Sequence, residues 1–379
     1  MATVHSSIPA PGSGFKEERR ILSPSLLLKL DARATSVMLS SRRCLIPLQL
    51  YRATSVDSHC YAPVLKRKAS TMSRRRPVDT KAELLAGVGD VHGQYSTWLL
   101  DQFGVLHDGK TAYPHAVEAV RKLYEGGAKV VVLSNSSRRS STTLAKLEPM
   151  GFDSSWFAGA VTSGEITHQM LERRPSPLFK SLGGRCIHFT WGDRGAVSLE
   201  GLGLDVVGQP EDADFMLAHG TEVIAGVGPA SLDDMRDLME KAAPRKLPLI
   251  VANPDVVTVD GDALRPMPGT LAKWYEEMGG EVHFMGKPAE IVYTYARQMV
   301  GSENINSEKA QMIAVGDSLH HDVLGAVDAG IASIFVGGGI HAKELEMDSP
   351  NSEPPQGKYD NLYDVHGISP TYAVPYFRW

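Results

Sequence analysis

Long apolar runs are missing from this chain of 379 residues: the longest candidate, residues 25–30, falls far short of the roughly 20 needed to cross a bilayer. No membrane partner is expected. Cysteine is almost as scarce. Cys44 and Cys60 lie near the amino end and Cys186 stands alone in the rest, so one thiol cannot build a disulfide framework or a zinc cluster, and a reducing compartment suits the chain. Cys186, beside Ile187 and Phe189, reads as a buried strand residue. Acids are scarce at one end: residues 1–78 hold 14 Lys and Arg against 4 Asp and Glu, leaving 25 basic and 40 acidic residues beyond. A basic, acid-poor front rich in Ser, Arg and Thr has the composition of a mitochondrial or plastid transit peptide; the alternative is a basic tail on a cytoplasmic protein, with Met72 as an internal start. The acidic body offers no basic face, so nucleic acid is not expected as a partner.

From about residue 95, short apolar runs alternate with helical patterns, which predicts an α/β fold: a Rossmann-like parallel sheet with helices on both faces. Core strands are expected at 97–100, 129–133, 282–285, 312–315 and 332–336. Pro288 is expected in the first turn of a helix over 289–299. The stretch between Ser134 and Lys287 is far longer than one crossover needs and predicts an inserted α/β cap domain. The resulting division is 79–167 with 266–345 for the core, 168–265 for the cap, and 346–379 for a loop ending in an aromatic anchor of Tyr372, Tyr376, Phe377 and Trp379.

Chemistry concentrates at four places. In Leu99-Leu100-Asp101-Gln102-Phe103-Gly104 an apolar run stops at a carboxylate, at the strand end where parallel α/β proteins bind ligands. An acid there serves as nucleophile, metal ligand or both. Ser134, with backbone N–H groups around Asn135 and Ser136, can hold a phosphoryl oxygen. Lys287, between Gly286 and Pro288, offers a compact positive charge. Asp317 and Asp322, around a turn, can bind a hard cation such as Mg²⁺, which would offset repulsion between a carboxylate and a phosphate.

In this order the four motifs resemble the haloacid dehalogenase-like hydrolase superfamily over residues 95–345, and the long insert resembles its class IIA. Residues 99–109 and Gly339-Ile340-His341-Ala342 resemble an uncharacterised branch of that class with an aromatic two positions after the nucleophile. The resemblance implies that Asp101, Ser134 and Lys287 are catalytic. It also implies that Asp101, the Phe103 backbone carbonyl, Asp317 and Asp322 hold Mg²⁺, and that the substrate is a small phosphorylated metabolite hydrolysed through an aspartyl-phosphate. Asn135, Asn253 and Asp255 are assigned to substrate binding, although Asn253 and Asp255 also suit a simple Asx turn. A homodimer through the cap is a further arrangement that class II caps adopt.

Phe103 departs from the superfamily, where most phosphatases carry a second Asp that protonates the leaving oxygen. Losing a positioned acid–base group costs about 10² to 10⁴ in rate, so good leaving groups are expected. His107, His320 and His321 are candidates for a substitute acid. Two other readings remain: a binding or regulatory protein with weak turnover on the same fold, and a carbon–halogen hydrolase, against which the Asp317–Asp322 pair and the insert stand. Gly89-Asp90-Val91-His92-Gly93-Gln94 looks like a metallophosphatase motif, but no Gly-Asn-His follows, and it reads as chance.

Overall fold

The computed structural model describes residues 82–192, 197–260, 263–301, 311–347 and 352–379. The basic front of 1–78, with Cys44 and Cys60, lies outside the described residues. No helix among the described residues is long and apolar enough to cross a membrane.

Four strands of the core precede the insert: β1 (Glu83–Leu84), β2 (Thr97–Leu100), β3 (Lys129–Ser134) and β4 (Phe157–Thr162). The apolar runs are continuous because the sheet is covered on both sides, and alternate residues go to opposite cores. Trp98 and Leu100, with Val130 and Val132, pack on one face against the helix Pro114–Glu125 through Ala116, Ala119, Val120 and Leu123. Leu99, Val131 and Leu133 pack on the other face with Ile166 and Met170 of the helix Ser163–Arg173 and Val292 and Ala296 of the helix Glu290–Met299.

The cap carries β5 (Arg185–Thr190), β6 (Asp205–Val206), β7 (Phe215–Ala218), β8 (Val223–Ile224), β9 (Gly228–Pro229) and β10 (Leu249–Val251). An antiparallel pair, β11 (Val257–Asp260) and β12 (Ala263–Pro266), follows, then β13 (Val282–Phe284). The cap sheet runs β13-β10-β7-β5-β8-β9, with β6 also on β5; β13, β10, β7 and β5 are mutually parallel, whereas β8 and β9 run antiparallel. Cys186 is buried in β5, as its neighbours in sequence required.

The core closes with β14 (Met312–Gly316), β15 (Ala332–Val336) and β16 (Tyr372–Val374), giving the order β1-β16-β15-β14-β2-β3-β4 with every pairing parallel. The predicted α/β architecture with a parallel core sheet and helices on both faces is therefore the one observed.

Three expectations are corrected. The run at 282–285 is not a core strand: Leu249, Ile250 and Val251 pair with Val282, His283 and Phe284 in the cap, and Leu271, Ala272 and Tyr275 of the preceding helix pack in the cap's own core. The cap thus extends past 265 to Phe284, and the core does not resume at 266. A three-residue apolar run carries no mark of which sheet it will join. Second, 346–379 is not a loop. It holds a helix, Lys358–His366, and β16, whose Ala373 and Val374 pair with Phe335 and Val336. Tyr372 and Phe377 are buried in the core, whereas Trp379 lies against His92 and is 37% exposed. Third, Pro288 precedes the helix Glu290–Met299, whose N-cap is Ala289, rather than opening its first turn.

Candidate active site

Three of the four motifs sit at the carboxyl ends of adjacent core strands. Asp101 follows β2 and its N–H continues the ladder to Val315 O at 2.9 Å; Ser134 ends β3; Asp317 follows β14. Lys287 arrives differently, three residues beyond the cap strand β13. Asn135 fastens it: the Lys287 N–H donates to Asn135 Oδ1 at 2.7 Å, and Asn135 Nδ2 donates to Lys287 O at 3.4 Å and to Asp255 Oδ1 at 2.9 Å.

The Lys287 ammonium is 2.7 Å from both Asp101 Oδ1 and Asp322 Oδ1, and its side chain is 2% exposed. Burial pushes the Asp101 carboxyl up to about 7 against the pull of Lys287, and Asp322 adds to the rise. Burial, then Asp101 and Asp322, likewise raises Asp317 well above the carboxylate range. Burial would strip the charge from Lys287, but the two carboxylates outweigh it and hold the ammonium charged. Asp322 Oδ2 accepts the Ser318 N–H at 3.1 Å, and Asp317 Oδ2 accepts the Ile340 N–H at 2.8 Å.

Three carboxylates against one ammonium leave excess negative charge in a buried place, which is costly without a further cation. One oxygen each from Asp101, Asp317 and Asp322 lies within 4.8 Å of the others. An all-oxygen set of this kind fits a hard divalent cation. Gly104, at φ +75°, brings the Phe103–Gly104 peptide against this cluster, where a methyl group would collide with the Asp317 carboxylate. Phe103 itself is 55% exposed and sets its ring edge-to-face on His107, with centroids 4.8 Å apart.

Ser134 Oγ accepts the Ser136 N–H at 3.2 Å, which leaves its own proton to donate. Asn253 is buried and accepts the Asp255 N–H at 2.9 Å, the Asx turn that its sequence allowed. Asp255 instead reaches across to the core, bonding Asn135 and standing 3.4 Å from His321 Nδ1. His320 turns elsewhere, to His366 at 2.9 Å. Arg139 is tied to Glu165 at 2.7 and 3.2 Å and so anchors a helix start. In the metallophosphatase-like stretch, Asp90 accepts the Ala86 N–H and His92 Nδ1 bonds Gly89 O, so both serve a local turn. Sequence reasoning missed the Ile340 N–H and the Tyr293 hydroxyl, which donates to Asp322 O at 3.4 Å. The three glycines preceding Ile340 were the one available signal for the former.

Residues 98–205 match the family described as haloacid dehalogenase-like hydrolase, and residues 284–365 match that described as HAD-hydrolase-like. The chain belongs to the haloacid dehalogenase-like hydrolase superfamily. Human chronophin is 26% identical over 270 residues, covering 68% of this chain and 86% of chronophin. The 5'-nucleotidase YutF of Bacillus subtilis is 24% identical over 276 residues, covering 71% and 96% of the two chains. A crystal structure of a haloacid dehalogenase-like hydrolase from Brucella suis superposes with a TM-score of 0.58 at 25% identity, covering 77% of this chain and 98% of that one. This member of the superfamily is an enzyme of the phosphatase kind, with a cap of the class IIA type.

Proposed function

We propose that the chain is a Mg²⁺-dependent phosphohydrolase that uses Asp101 as nucleophile on a small phosphorylated metabolite with a good leaving group. The observation that carries this is the Lys287 ammonium bonded to Asp101 and Asp322 at 2.7 Å each, with Asp317 alongside. The 5'-nucleotidase of Bacillus subtilis and the glycerol-3-phosphate phosphatase of rat among its relatives support a small phosphorylated substrate.

In this reading Ser134 and the backbone around Asn135 and Ser136 hold the phosphoryl oxygens, and Lys287 keeps nucleophile and phosphoryl group together. Held by Asp101, Asp317, Asp322 and the Phe103 carbonyl, Mg²⁺ would supply the positive charge that lets a carboxylate approach a phosphate. An Asp101 oxygen forms a bond to phosphorus as the bond to the leaving oxygen breaks, and the leaving group departs as its anion. Water then attacks phosphorus, releasing inorganic phosphate and restoring the carboxylate. Asn253 and Asp255 bring the cap over the substrate, and exclusion of water there is the usual task of such a lid.

Phe103 donates no proton, so aryl, acyl, enol or anhydride phosphates react faster than alkyl esters. For alkyl leaving groups, which need a proton to depart, His321, 3.4 Å from Asp255, is the candidate substitute acid; undiminished turnover of an alkyl phosphate in His321→Ala would remove it from that role. The central test is Mg²⁺-dependent release of phosphate from p-nitrophenyl phosphate. The expected result is activity in the natural chain and none in Asp101→Asn; equal activity in both would refute the proposal. Residues 1–78 direct import into a mitochondrion or plastid in the same reading, and a fluorescent protein fused after residue 78 that stays in the cytoplasm would contradict it.

A further inference from the structure

The loop after β15 serves two clusters. Ile340 donates its N–H to Asp317, but the next residue, His341, is buried and places Nδ1 2.7 Å from Glu344 Oε1. The other carboxylate oxygen, Glu344 Oε2, lies 3.5 Å from Nε2 of His366, the last residue of the helix Lys358–His366. His341, Glu344 and His366 each offer a ligand atom within 4.8 Å of the others.

We propose that His341, Glu344 and His366 form a second metal site, for a transition ion of the Zn²⁺ class, separate from the carboxylate site at Asp101. Two imidazoles and one carboxylate are a zinc donor set, whereas Mg²⁺ takes oxygen. Tetrahedral bonds of about 2.0 to 2.1 Å place donors roughly 3.3 Å apart, and the separations observed, 2.7 Å to one Glu344 oxygen and 3.5 Å to the other, lie on either side of that spacing. The outer nitrogen of His366 is held as well: its Nδ1 is 2.9 Å from His320 Nε2, and in the tautomer that donates there Nε2 is unprotonated toward Glu344. Glu344, 29% exposed beside side chains that are 6% and 7% exposed, opens the path of entry. An ion there joins the C-terminal helix to the loop whose Ile340 N–H holds Asp317.

The test uses the full chain, stripped with a chelator, returned to millimolar Mg²⁺ and titrated with Zn²⁺, with bound metal measured directly and Co²⁺ as a spectroscopic probe. The expected result is one Zn²⁺ per chain, retained in Asp317→Asn, lost in the isosteric Glu344→Gln and weakened about 10- to 100-fold in His320→Ala. Zn²⁺ should raise the melting temperature of the natural chain and leave that of Glu344→Gln unmoved. The proposal is overturned if the natural chain binds no Zn²⁺, if binding survives both Glu344→Gln and His366→Ala, or if Asp317→Asn abolishes it, which would put the ion among the catalytic acids.

Discussion

The core and cap sheets meet at their carboxyl edges but bring opposite charges there. The ends of β2 and β14 deliver Asp101 and Asp317, and the helical turn Leu319–Val323 delivers Asp322; the chain leaving β13 delivers the ammonium that bonds two of these acids. The core edge is held by a seven-stranded parallel sheet whose central strands β14, β2 and β3 are packed on both faces, so its carboxylates cannot move apart to relieve their repulsion. The counter-charge therefore has to come from the other sheet. Docking of the cap and electrostatic completion of the site become one event, with Asn135 and Asp255 as its second fastening.

Replacing the cation that follows the cap strand β13 breaks this arrangement most severely. Lys287→Met leaves two buried carboxylates facing each other and should cost about 3 to 5 kcal/mol of stability in metal-free protein, together with turnover. Urea unfolding measures this, and a loss below about 1 kcal/mol would show that the core acids do not depend on the cap. On the core side, Phe103→Asp should raise turnover of an alkyl phosphate relative to an aryl phosphate by about 10² to 10⁴. Parallel rate constants on the two substrates check it, and equal changes would mean that the leaving group's proton is not what position 103 controls.

Weaker effects belong to the cap's polar contacts. Asp255→Ala removes the acceptor for Asn135 and should raise KM about tenfold, the worth of one hydrogen bond to a charged group, with less change in kcat. A fall confined to kcat would instead make Asp255 part of the chemistry. The smallest effect lies at the helix that leads from core toward cap. Burial works to raise Glu165, but bonds from Arg139 and Gln169 prevail and hold it at about 2, below its ordinary 4.5. Its contribution to stability is complete above about 4.5 and is lost as pH falls toward 2. Glu165→Gln should flatten the urea midpoint across that interval while leaving the slope at higher pH unchanged.

The candidate acids Asp101, Asp317 and Asp322 are legible because each lies within a short run whose local pattern suffices: an apolar strand, then a carboxylate or a glycine turn. Ser134 and the helices beside the core were legible for the same reason, since burial on both faces writes continuous apolar strands and periodic helices into the chain. The sheet that the strand at 282–284 joins is not legible, since pairing to β10 depends on residues some 30 positions away. The strand at 372–374 is not legible as a strand, because three apolar residues after a proline-rich stretch carry no strand signature of their own.

By itself, the sequence determined the order of the motifs, the parallel core and the presence of an insert, because these follow from periodicity and composition along neighbouring residues. Tertiary structure alone decided that Lys287 comes through the cap, that Asn135 holds it there, and that His320, His341, Glu344 and His366 meet. Those positions are scattered over five stretches of the chain, and only the closing of the sheet, which burial of its central strands on both faces drives, brings their side chains within bonding distance.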